Sequence, residues 1–193
     1  MSVTVDQISI TNIPDNIKAW KPLSGYNRSW EFISYENRYR ITEALAGIDY
    51  FISIYNWLKP AFTFADVHKR MILMLVSGIY ECVLSDAVSR TAKQELVESK
   101  ILKQFVSKDR IQEIDKDEFE KLINNGEIIG MYGSDWKEYL HKIREVRNWI
   151  HLAKARDTNL GDWLGLQTID TLKNKLDEFR ILSEAYFSKI YIQ

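Results

Sequence analysis

Arg144, Arg147, Asn148 and His151 crowd into one segment, SDWKEYLHKIREVRNWIHLAKAR. These residue types suit phosphodiester chemistry. Histidine titrates near neutrality, so it can take the proton of a ribose 2′-hydroxyl or protonate a departing 5′-oxygen. Arginine forks onto phosphate oxygens and stabilises the charge that develops as the bond breaks. Asparagine can hold an imidazole or a phosphate oxygen in place. No metal is needed for such a reaction. One histidine does not readily serve as base and acid together, and a two-fold dimer that faces two such segments across a cleft would supply a second.

The spacing assumes a helix. At 100° per residue, Tyr139, Leu140, Ile143, Val146 and Ile150 make a core-facing stripe, with Arg147 and His151 stacked one turn apart along its border. Arg144 precedes Arg147 by three residues, and Asn148 precedes His151 by three. Between residues 137 and 156 stand six Lys or Arg against two Asp or Glu, a local charge of about +4 in a chain whose formal net charge is −1. Glu81 interrupts an apolar run elsewhere and is a candidate supporting carboxylate that reaches over to orient Arg147 or His151; the plainer reading points it outward. His141 could line the same groove, although a surface role is the simpler expectation. The three histidines, His68, His141 and His151, are too scattered for a metal site, and no glycine-rich phosphate loop, nucleophile elbow or paired-cysteine motif occurs. Neither metal nor cofactor is expected. The bland alternative for the whole cluster is a solvated ion-pair face.

Arg147-Asn148-Trp149-Ile150-His151, late in a helical chain and followed by one more helix, resembles the signature of the HEPN superfamily. That motif is an arginine, usually followed by Asn, Asp or His, with four to six residues before a histidine. Here three residues separate Arg147 from His151 and six separate Arg144 from it; the Arg147-Asn148 pair matches better, with Arg144 in support. The resemblance implies a small all-helical domain and a metal-independent endoribonuclease active as a homodimer. It also implies a toxin or anti-phage defence effector, with RNA as substrate and an antitoxin or regulatory protein as further partner. Ala153 stands where the subgroup silenced by adenylylation carries tyrosine. The alternative is a catalytically inactive HEPN-like scaffold or partner-binding module.

The rest of the chain must position that segment. With 46% hydrophobic and 12% aromatic residues in 193, one domain can bury a core, and general disorder is excluded. The near-neutral charge lacks the global basic excess of most nucleic-acid binders, so a polyanion would meet a local patch. Cys82 is the only cysteine, which rules out a disulfide framework or a multi-thiolate zinc site and suits a reducing compartment. The N-terminus lacks a signal-peptide pattern, and the apolar run 71–84 is too short for a membrane span, so a cytoplasmic protein is expected.

The expected fold is all-α: an up-and-down helical bundle over 34–193 with an extended N-terminal arm over 1–33. In the arm, Val3, Val5, Ile8, Ile10 and Ile13 alternate, Pro14 and Pro22 interrupt any helix, and Trp20, Tyr26 and Trp30 are placed to pack on the bundle. The first helix runs from about Glu36, carries the stripe Ile41, Leu45, Ile48, Ile52, Tyr55, and ends at Lys59-Pro60. Thr63 and Asp66 read as a capping box opening a second, centrally buried helix. Short outer helices fill 93–125, stopped at Asn125-Gly126; 130–133 is a loop. Ser134 or Asp135 starts the helix that reaches about Arg156. A loop holding Gly161, Trp163 and Gly165 follows. The last helix begins near Thr168.

Overall fold

The computed structural model describes residues 28–58, 62–93, 118–152 and 158–191, and within them the chain forms six α-helices and no strand. They are α1 (Tyr35–Leu58), α2 (Phe62–Lys93), α3 (Phe119–Ile128), α4 (Ser134–Leu152), α5 (Thr158–Leu166) and α6 (Ile169–Tyr191). The molecule is an all-α helical bundle.

α2 is the axis. Its apolar residues leave no polar stripe over most of its length, so several neighbours must cover it. It packs against α1, α3, α4 and α6, and Ile72, Leu73, Val76, Ile79, Tyr80, Val83, Leu84 and Ala87 are all sealed from solvent. α1 lies antiparallel to it: the Ser34 N–H donates to Asp86 Oδ2 at 3.0 Å, Gly47 faces Leu75, and Phe51 meets His68. The length expectation for this helix needs correction. The apolar stretch extends beyond 71–84: Val67–Thr91 is 25 residues long with mean hydropathy 1.7, long and apolar enough by composition to cross a bilayer. Its burial against four helices accounts for the same composition.

Two other boundaries differ from expectation. α2 begins at Phe62, so Thr63 sits inside the first turn and not at the cap. Asn125-Gly126 does not stop α3. The stop is Gly130, at φ +75°, a conformation that costs a side-chain-bearing residue energy. The Gly130 N–H donates to Glu127 O at 2.9 Å and the Met131 N–H to Gly126 O at 3.0 Å, the paired bonds of a Schellman ending. Gly126 serves packing instead: a Cβ there would collide with the Tyr132 ring and stand 2.9 Å from Leu84 Cδ2.

The segment around Gly161, Trp163 and Gly165, expected as a loop, is the short helix α5. Its two glycines argue against helix as an isolated peptide, but Leu164 is buried and Trp163 stacks at 6.1 Å on Tyr139, and tertiary packing outweighs propensity. Thr168 caps α6, its Oγ1 accepting from the Thr171 N–H at 3.0 Å. Of the N-terminal arm, residues 1–27, with the alternating aliphatics, Trp20 and Tyr26, lie outside the described residues. Its final part forms a 3₁₀ turn, Arg28–Trp30, that buries Trp30 and stacks Phe32 at 5.6 Å on Phe187. Residues 94–117, expected to hold short outer helices, also lie outside the described residues.

Candidate functional site

α4 carries the site. Leu140, Ile143 and Val146 are fully buried and fix its rotation, so the residues between them fall at the border with solvent. The helix continues unbroken through Leu152, which keeps Arg144, Arg147, Asn148 and His151 on one continuous element. Asn148 is exposed. His151 lies four residues after Arg147, in the last turn; its side chain falls outside the described residues.

The two arginines reach different helices. Arg147 Nη1 donates to Glu81 Oε2 at 2.6 Å, and its guanidinium stands 5.7 Å from the centroid of the Phe119 ring. Glu81 therefore turns towards α4, against the plainer expectation that it points outward. Arg144 Nη1 donates to Glu120 Oε2, also at 2.6 Å. Phe119 and Glu120 are the first two residues of α3, so both guanidinium groups arrive at the start of that helix from different sides.

The local charge of about +4 is reduced on folding, since Glu81, Glu120 and Glu127 come in from other helices. Lys137 pairs with Glu127 at 2.7 Å and Lys142 with Glu145 at 3.7 Å, in addition to the two arginine pairs. Three of these four carboxylates come from α2 and α3, which a count along α4 alone leaves out. Each pair uses one N–H of a group that has several: a guanidinium has five donors, so Arg147 and Arg144 keep others. The Arg147–Glu81 side chains are 27% and 33% exposed, so screening limits the pair to about 1 kcal/mol or less.

His141 belongs to this face. It is half-buried beside Arg144, and burial, then the Arg144 charge, hold its imidazole below the usual histidine range, with Glu120 pulling the other way. Sequence reasoning named it and favoured a surface role.

Glu120, Glu127 and Phe119 were missed. A signal for the two carboxylates exists: they are seven residues apart, as are their partners Lys137 and Arg144, and the order 120–144, 127–137 is what an antiparallel α3–α4 hairpin brings together. His68 lies far from this face, edge-on to Phe51 and Tyr55. Among the described residues no group of three or more His, Cys, Asp or Glu could hold a metal ion.

What the arrangement can do is bind an anion through the remaining donors of Arg147 and Arg144, with Asn148 beside them and a histidine position one turn on. No family model, no curated protein and no solved structure matches the chain.

Proposed function

We propose that this chain is a HEPN-like, metal-independent endoribonuclease of the cytoplasm, acting as a toxin or anti-phage defence effector. RNA is its substrate, and an antitoxin or other regulatory protein is its further partner. The observation that carries the reading is Arg147, held by Glu81 of the central helix and followed on one unbroken helix by Asn148 and His151. An arginine fixed at one Nη presents its other N–H groups in a defined direction, and positioned donors stabilise a phosphorane-like charge better than mobile ones. In the proposed reaction the ribose 2′-oxygen attacks the adjacent phosphorus and the 5′-oxygen leaves. His151 moves a proton at one of these oxygens and its copy in the second subunit of a homodimer serves the other.

The decisive experiment incubates purified protein with RNA in the presence of chelator, beside Arg147→Ala and His151→Ala. Cleavage by the wild type and a loss of at least about 100-fold in either variant is expected, the range seen when a general acid–base group or a charge-stabilising donor is removed. No cleavage by the wild type, or variants as active as it is, overturns the proposal.

A second reading is favoured by a specific observation: both arginines are already neutralised by carboxylates. A catalytically inactive HEPN-like scaffold would use this seam to fix α3 and α4 and would leave RNA intact while binding a partner.

A further inference from the structure

A groove of about 540 Å³ lies between α6 and the turn that joins α3 to α4, at the opposite end of α4 from Arg147. Its floor is Met131, Trp136 and Tyr186. Besides Tyr186, the α6 residues that line it are Glu178, Ile181, Leu182, Ala185 and Lys189. Counted at 100° per residue, these five fall within a sector of about 100°, so they form one continuous face of the helix. That face is not satisfied by the bundle. Ile181 is 58% exposed, and Glu178, Ala185 and Lys189 are exposed as well.

The order of residues along the face is self-complementary. An acid stands at one end, a base at the other, and a large and a small aliphatic flank the middle. We infer that this face receives a second copy of the same chain, with the two α6 helices antiparallel about a two-fold axis between residues 183 and 184. An isologous contact places residue i against j and j against i. The axis therefore sets Glu178 against Lys189 of the second copy, and Lys189 against its Glu178. Leu182 meets Ala185 of the second copy, where the missing bulk leaves room for a neighbouring helix. Ile181 comes beside Tyr186 of the second copy, at the groove floored by Met131 and Trp136. Glu178 is already oriented for this, since Lys175 holds Oε2 at 2.6 Å and itself stands 5.1 Å over the Trp136 ring. The second carboxylate oxygen is left for the incoming lysine.

Charge complementarity selects the occupant. Opposite charges placed symmetrically about a Leu–Ala pair are matched by an antiparallel copy of the same helix. The contact is independent of the ribonuclease reading, because Trp136 and Arg147 are eleven residues apart on α4, about 16 Å at 1.5 Å per residue. It leaves the Arg147 face open, and it adds to any pairing through that face.

The test is sedimentation of the 193-residue chain over a range of concentrations, with Glu178→Lys and Lys189→Glu. Both positions are exposed on α6, and circular dichroism checks that each variant stays helical. The wild type is expected to self-associate reversibly. Each single reversal creates two like-charge contacts per dimer and should raise the Kd at least about tenfold. An equimolar mixture of the two variants should associate as tightly as the wild type, because a chain with lysine at 178 and a chain with glutamate at 189 are mutually complementary in the antiparallel arrangement. A wild type that stays monomeric, single reversals that leave the Kd unchanged, or a mixture no tighter than its components would each overturn the inference.

Discussion

The two ends of α4 are held by different physics. At the N-terminal end, Trp136 and Tyr139 enter an aromatic cluster with Tyr80 and Phe179, whose rings sit 4.7 to 6.5 Å apart, mostly edge to face. At the C-terminal end, Arg144 and Arg147 are tied by half-exposed carboxylates from α3 and α2. Aromatic burial is insensitive to salt and large in free energy; exposed ion pairs are small and screened. One helix thus has a clamped end and an adjustable one, and the residues with chemical potential stand at the adjustable end. The guanidinium N–H groups that the carboxylates do not use are left there for an anion.

The largest effect should come from the clamp. Phe179→Ala removes the ring that touches Tyr80, Trp136 and Tyr132 in a fully buried position, and should cost about 3–5 kcal/mol in urea unfolding. A loss under about 1 kcal/mol would mean that the N-terminal end is not the clamp.

Alkaline pH probes the same end. Burial pushes the Tyr139 phenol up to about 12 from its usual 10. The neutral form is the one favoured in the folded state. This contribution is therefore complete below about pH 10 and is lost progressively as pH rises to about 12, roughly 2–3 kcal/mol across the window. Urea melts at pH 9 and pH 11.5 should show a decline to which the buried Tyr80, Tyr132 and Tyr186 phenols, also raised by burial, contribute as well, and Tyr139→Phe should remove its own share. An unchanged slope in the variant would assign the alkaline loss elsewhere.

The adjustable end should respond least. Glu81→Gln keeps the shape but removes the charge opposite Arg147, and should cost about 1 kcal/mol or less at low ionic strength and almost nothing near 1 M salt. A salt-independent cost of several kcal/mol would make the pair a buried clamp like the aromatic one and abolish the contrast.

Several of these features were legible in the chain alone. The stripe of Leu140, Ile143 and Val146 fixed which side of α4 is buried, because a 3.6-residue period leaves only one consistent face. The apolar run of α2 identified a central helix, and the start of α6 was expected near Thr168, where the structure places its cap. Other features were not. Gly161 and Gly165 argued for a loop, yet Trp163 and Leu164 gain enough burial to hold a helix there. Asn125-Gly126 had the composition of a helix stop, but the glycine is required by the Tyr132 ring and the stop falls at Gly130, where the backbone turns left-handed. The +4 charge on the α4 segment was a correct count of the wrong set of residues.

The existence of the long helices α1, α2, α4 and α6, the buried face of α4 and the grouping of Arg144, Arg147, Asn148 and His151 on one element follow from the sequence, because backbone hydrogen bonding and side-chain period are local. The partners of those residues do not. Glu81 is 66 positions from Arg147 and Glu120 is 24 from Arg144. Which carboxylate meets which guanidinium depends on how the helices pack, and packing is settled by the whole core. Tertiary structure alone decided that this cationic stretch folds into a compensated seam, because charge is additive only over groups that lie close in space.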